Sequence, residues 1–404
     1  MPKPPAVSPN PVTIRDRDIV LLVGTIKGAF LFRSDHARRK WEVGGPYFAG
    51  RSVYAMAYDG RAGRHRIWAA PKSLHWGAEL CASDDFGRTW SRPEVPRIAF
   101  PESSGASLAN IWQIEAGGDD EPDRLLCGVE PSALFESRDA GDSWSLNEGL
   151  WNHPHRPKWM PGGGGLCLHT ILTNPVRPER LFIATSTGGV YRTDDGGRTW
   201  EARNRGIHAY FLKEKDPEFG QCVHKVVRHP AKPDRLFLQH HFGLYRSDDG
   251  GDSWRERKNG VPSDFGFAMA IHPRDPETVY IVPLQSDEFR CPPEGKLRVY
   301  RTRDGARSWK PLARGLPQKD CYDTILRDAL SVDREDPAGV YFGTRDGRLY
   351  ASRDEGESWS LVAEDLPAVT FVRAATVRAR AKARARVPAA KPGGAERRRR
   401  KKAA

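Results

Sequence analysis

The chain has 404 residues, 38% apolar and 29% charged, with 39 Gly and 32 Pro. That is ample for one large core or two domains, and no apolar run approaches the length of a membrane-spanning helix. The formal charge of +12 is misleading: twelve Lys or Arg against one Glu lie from Arg378 onward, so that segment carries +11 and the body is nearly neutral, which excludes a uniformly basic folded surface.

The segment 1–18 is proline-rich and polar and is expected to be disordered or loosely packed. Its start, Met1-Pro2-Lys3-Pro4-Pro5, has no apolar h-region, so a cytoplasmic location without a secretory leader is expected. The six cysteines (Cys81, Cys127, Cys167, Cys222, Cys291, Cys321) show no C-x-x-C spacing and are expected as free thiols. Ile19–Gly24 and Gly28–Arg33 are apolar runs around a short turn and predict a hairpin, with Trp41-Glu42-Val43 opening an outer strand. The first unit therefore starts at its second strand.

An octapeptide S/T-x-D-x-G-x-S/T-W then recurs. Its copies are Ser83–Trp90, Ser137–Trp144, Thr193–Trp200, Ser247–Trp254, Thr302–Trp309 and Ser352–Trp359, and a worn copy, Ser34–Trp41, precedes them. The closing tryptophans fall 49 to 56 residues apart, so one unit of about fifty residues occurs seven times, the signature of a repeat architecture. The Asp suits a turn whose backbone N–H groups need an acceptor. The Gly admits positive φ, and the Trp opens a strand with a large ring to bury. Asp85, Asp139, Asp195, Asp249, Asp304 and Asp354 are accordingly expected to be structural.

The stretch from Gly165 to Trp200 shows one whole unit. Leu166–Leu172 predicts an inner strand, Arg180–Ala184 a second and Val190–Thr193 a third, and the octapeptide leads into a fourth. Four short strands, seven times, predict an all-β, seven-bladed β-propeller over residues 19–377. After the last octapeptide comes a spare strand, Thr370–Val377, expected to complete the first blade and close the ring. Residues 378–404 are basic and of low complexity and are expected to be disordered. They suit weak, salt-sensitive, nonspecific contact with nucleic acid or an anionic surface. A monomer is expected.

The octapeptide resembles the Asp-box, or BNR repeat, of sialidases, xyloglucanases, the sortilin receptor propeller and the photosystem II assembly factors. LLVGTIKGAFLFRSD, GQCVHKVVRHP, DFGFAMAIHP and ILRDAL resemble a bacterial group of BNR-repeat proteins labelled glycosyl hydrolase or sialidase-like. The resemblance implies the propeller fold. It leaves activity open, because its members do unrelated things.

Chemistry is sought on the face opposite the octapeptides, where the loops between blades and the second-to-third hairpins gather around the channel mouth. Aligning inner strands on their downstream turns sets Cys167-Leu168-His169-Thr170 against Cys222-Val223-His224-Lys225, Phe265-Gly266-Phe267-Ala268 and Leu326-Arg327-Asp328-Ala329, with Tyr54 and Gln113 as earlier equivalents. His169, His224, Asp328 and Tyr54 are the candidate catalytic residues. His169, His224, Asp328, Arg327, Gln113, Tyr54, His155 and Trp159 are the candidate ligand contacts, the last two from the loop Trp151–Trp159. No cofactor is predicted, although His169, His224 and Asp328 could hold a divalent metal. The same groups hydrogen-bonded to one another around a wet channel are the structural alternative.

Sialidase chemistry needs three arginines on a carboxylate, a Tyr with Glu, and an acid Asp. Arg51, Arg290, Arg327 and Arg373 are the available cations, with Tyr54 and Asp328 or Asp323. The Arg-Ile-Pro signature is absent, and Arg97-Ile98-Ala99 matches only in part. No carboxylate pair of the xyloglucanase kind stands out. The expected function is a platform binding a protein, glycan or anionic ligand through the mouth face, with a sialidase-like glycoside hydrolase as the alternative.

Overall fold

Apolar runs too short for helices, punctuated by Gly and Pro, leave the chain one way to bury itself: as small sheets stacked face to face. In the computed structural model, which describes residues 10–75, 77–92 and 95–379, they form seven antiparallel sheets arranged as the blades of a ring. Blade 4 shows the order from the axis outward: Leu168–Thr173, Leu181–Thr185, Gly189–Thr193 and Glu201–Ala202. The middle strands are buried along their whole length because a blade packs on each face. Among the described residues no helix is long and apolar enough to cross a membrane.

Blade 1 is assembled from both ends of the chain. Val369–Thr376 takes the inner position and pairs antiparallel with Ile19–Thr25, followed outward by Gly28–Ser34 and Glu42–Tyr47. Leu21 faces Ala374 and Val23 faces Val372. Two further backbone bonds, Arg17 N–H to Val377 O and Val377 N–H to Asp18 O, both 2.8 Å, extend the seam. The expected closing strand is therefore present, displaced by one residue.

The octapeptides form one repeated circuit. In the blade 4 copy, Thr193 Oγ1 donates to Asp195 Oδ1 at 2.7 Å and accepts from Gly197 N–H at 2.9 Å. Asp195 also accepts from Thr199 N–H at 3.0 Å and Thr199 Oγ1 at 2.7 Å. Ala306 stands at the Gly position of its copy and keeps the left-handed conformation, φ 65°. Two of the closing Trp rings then reach back one blade to a carbonyl: Trp254 Nε1 donates to Arg203 O at 2.8 Å and Trp309 Nε1 to Arg257 O at 2.9 Å. Blade 2 departs from the pattern. Among the described residues its outer strand shrinks to a single bridge, Ala82 to Ser91.

These circuits have an acid signature. Hydrogen bonds from Ser143 and Ser137 hold the Asp139 carboxyl down at about 2; at Asp195 and Asp304 burial opposes, but donors from the same turn outweigh it and the result is again about 2. An unfolded Asp titrates near 3.9. The folded state thus binds fewer protons, and this stabilisation is complete above about pH 5 and lost as pH falls from about 4 toward 2. Thermal melts of the native chain should drop across that window. The Asp139→Asn/Asp195→Asn/Asp304→Asn variant should melt lower at neutral pH and show a shallower acid slope; parallel curves would refute the assignment.

Blade 1 lacks that circuit, since its worn octapeptide has no Asp or Gly at the key positions. Arg38 occupies the Gly position at φ 52° and crosses to blade 7, where its Nη1 lies 3.1 Å from Asp333 Oδ2. Asp333 also accepts from Tyr341 Oη at 2.6 Å and Gly339 N–H at 2.7 Å, and its side chain is fully buried.

Residues 10–18 correct the expectation of a disordered N-terminal segment. Asn10 bridges Gly45 and Val12 is buried in the blade 1 core, because this stretch offers an apolar side chain and backbone groups to the outer strand. Residues 1–9 and 380–404, with the expectations attached to them, lie outside the described residues.

Candidate functional site

Every inner strand enters its sheet at the channel mouth and leaves at the octapeptide face. Near the mouth, the ladders of blades 1 to 6 break register. Thr370, Trp112, His169 and His224 are skipped by the pairing, as are Tyr54 with Ala55 and Phe267 with Ala268. A bulge re-aims the side chain it carries. The result is a ring of extra residues at the mouth.

Most of that ring lines a cavity of about 500 Å³. Tyr54, Trp112, His224, Phe267, Thr370 and Asp328 come from the starts of inner strands. Thr187, Phe242 and Arg345 come from second-to-third hairpins, and the Gly162–Gly165 run closes one side. The Tyr54 and Trp112 rings meet at 5.1 Å, and the Arg327 guanidinium lies 5.6 Å from the Trp112 centroid. Arg290 sits 5.3 Å from the Phe267 ring, on which His224 stacks at 4.6 Å. Three guanidiniums, Arg290, Arg327 and Arg345, therefore border an aromatic hollow, and among the described residues none has a carboxylate at ion-pair distance. The carboxylates present are engaged: Asp328 with Lys225 at 2.5 Å, Asp287 with His241 Nε2 at 3.2 Å.

The expected site residues separate into two groups. Tyr54, His224, Arg327 and Asp328 share the cavity. His169, Gln113, His155 and Trp159 stand elsewhere. His169 is fully buried, bonded at 3.0 Å to both Thr170 Oγ1 and Val223 O. Gln113 accepts from Ile171 N–H at 3.2 Å, and its neighbour Trp112 takes the mouth position because the bulge falls one residue earlier than the alignment placed it. Trp159 Nε1 donates to Tyr191 Oη at 3.0 Å, and His155 stacks on Phe219 at 4.2 Å, so the Trp151–Trp159 loop packs against its own blade. His169 is too far embedded to join His224 and Asp328 around a metal. Asp323 is buried beneath Arg348, and burial, with Asp346 beside it, pushes its carboxyl up.

His224 does two things. Its Nδ1 lies 2.6 Å from Gly266 O, stapling blade 5 to blade 6 as His169 staples blade 4 to blade 5. Its Nε2 faces Cys222 Sγ at 3.6 Å. Burial keeps the His224 imidazole neutral and pushes the Cys222 thiol up to about 11. Cys222, His224 and His241 each place a donor atom within 4.8 Å of the other two. The sequence marks Cys222 only as a free thiol; its neighbour across the ladder, His241, is the signal that spacing along the chain does not carry.

No family model matches the chain. It is 25% identical over 219 residues to the oligoxyloglucan-reducing end-specific xyloglucanase of Emericella nidulans, covering 52% of this chain and 26% of that protein. It is 24% identical over 146 residues to the xyloglucanase Xgh74A of Acetivibrio thermocellus, covering 31% and 16%. The chain thus spans under a third of the curated relatives it matches. The solved GH74 xyloglucanase of Xanthomonas campestris superposes with a TM-score of 0.54 at 16% identity, over 92% of this chain and 56% of that one, a likeness of fold.

Proposed function

We propose that this propeller binds a small anionic ligand, an acidic sugar or a comparable carboxylate, in the mouth cavity. The observation that carries the reading is the set of three guanidiniums without carboxylate partners around an aromatic hollow. Arg matches a carboxylate in two-pronged geometry, and the faces of Trp112, Tyr54 and Phe267 suit the flat apolar side of a ring. The volume falls within the ~300–1,000 Å³ range of ligand pockets. Calorimetry with a panel of uronic acids, sialic acids and their neutral counterparts tests it. Acidic members should bind and neutral ones should not. Arg290→Ala and Arg345→Ala, both at exposed positions, should each weaken binding about 10- to 100-fold, the weight of one charge-assisted hydrogen bond. Equal affinity for neutral sugars, or none for any acid, would refute the reading.

A second reading is a glycoside hydrolase at the same cavity. It is favoured by Tyr54 and Asp328 lying there with the three arginines, and by the named activity of the partial relatives. Turnover of a fluorogenic glycoside that vanishes in Asp328→Asn would establish it.

A further inference from the structure

We propose that Cys222, His224 and His241 form a three-ligand site for zinc(II) whose fourth position opens into the mouth cavity. Strand geometry brings them together. Cys222 immediately precedes the inner strand Val223–His229, and the bulge at His224 turns that imidazole toward it. His241 N–H donates to Cys222 O at 3.0 Å, which sets His241 beside them across the ladder. All three line the cavity.

The distances suit the ion. Zinc bonded at about 2.3 Å to sulfur and about 2.0 Å to nitrogen, at a tetrahedral angle, holds those donors about 3.5 Å apart. Cys222 Sγ and His224 Nε2 are 3.6 Å apart. Both rings are oriented from behind: Gly266 O takes the Nδ1 proton of His224 at 2.6 Å, and Asp287 accepts from Nε2 of His241 at 3.2 Å. Each imidazole is left with one bare nitrogen, the tautomer a metal requires. Thiolate with two imidazoles selects zinc over calcium or magnesium, and three protein ligands beside an open cavity are the pattern that leaves a place for water or a ligand oxygen.

Blade 4 supplies an internal comparison. Cys167 and His169 repeat the same C-x-H, and Ser186 N–H meets Cys167 O at 3.0 Å as His241 meets Cys222. Ser186 stands where the third imidazole would be, and among the described residues only the blade 5 set has three donors gathered. Repeat duplication accounts for the pair; it does not account for His241 or for Asp287 behind it.

The proposal goes beyond the anionic-ligand reading and does not rest on it, since the test needs no organic ligand. Untagged full-length protein, freed of metal, is titrated with cobalt(II) and then zinc(II). One equivalent of cobalt should give a thiolate-to-metal charge-transfer band and the intense visible bands of a four-coordinate ion, both erased by one equivalent of zinc. Cys222→Ser should abolish the charge-transfer band, while Cys291→Ser should keep it. Asp287→Asn should weaken affinity about 10- to 100-fold, the usual cost of losing an outer partner. Near-ultraviolet circular dichroism checks that each variant is folded. A native protein without the charge-transfer band, or with a titration equal to that of Cys222→Ser, overturns the site, and the calorimetry above remains a separate test of the cavity.

Discussion

A chain ended after Pro367 should lose cooperative folding altogether. The truncation removes Val369–Thr376, which buries Val369, Phe371 and Val372 and forms the whole inner edge of blade 1. Burying three such side chains is worth about 5–9 kcal/mol at about 1.5–3 kcal/mol each, against a total stability of about 5–15 kcal/mol for a typical domain. The loss also strips Ile19–Thr25 of its partner and removes two contacts that tie the seam to its neighbours: Thr370 Oγ1 to Val53 O at 2.5 Å and Val372 N–H to Asp328 O at 2.8 Å. Urea denaturation followed by tryptophan fluorescence should show no sigmoidal transition. A truncated chain with the native midpoint would sink the closure argument.

The second large effect is expected at Asp333→Ala. This carboxylate is fully buried and is the anion facing Arg38, itself 6% exposed. Removing it leaves the Arg38 charge with only the His36 and Pro337 carbonyls, and takes the acceptor from the Tyr341 hydroxyl and from the Glu335 and Gly339 N–H groups. Breaking a buried pair on one side costs about 3–5 kcal/mol, since the remaining charge stays desolvated. Asp333→Asn keeps the shape and some acceptor capacity and should cost less. Arg38→Met/Asp333→Leu, which removes both charges, should recover much of the loss. Denaturation midpoints of the three variants decide it; an Asp333→Ala protein within about 1 kcal/mol of native would show the pair to be idle.

The fold was legible because the octapeptide is a turn with a fixed chemical requirement. An acceptor, a residue tolerant of positive φ and a large ring must recur at set places, so Trp41 through Trp359 mark out seven blades. The clasp followed from counting: one inner strand missing before Ile19, one spare after Trp359. The site was legible only to within a residue. Alignment assumes a strict period of two, and a bulge adds a residue that the period does not contain, which is why Gln113 was read for Trp112. His169 and His224 do occupy equivalent bulges, as the alignment set them, but only His224 reaches the cavity. Arg345 and Phe242 come from hairpins of unequal length, where no period exists to read. His241 is one of an adjacent pair, His240-His241, and its partnership with Cys222 depends on ladder register, which sequence does not supply.

The direction of the last strand bears on how the protein meets other surfaces. Val369–Thr376 runs, like every inner strand, away from the cavity and ends at the far rim. There Arg378 N–H reaches Tyr58 Oη at 3.3 Å, and the Arg378 guanidinium pairs with Asp119 at 2.9 Å. A resin or fused domain joined directly at this point approaches from the rear. A chain ended after Ala379 and immobilised there would be oriented with its entrance toward the solution, and should bind ligand as well as the free molecule does.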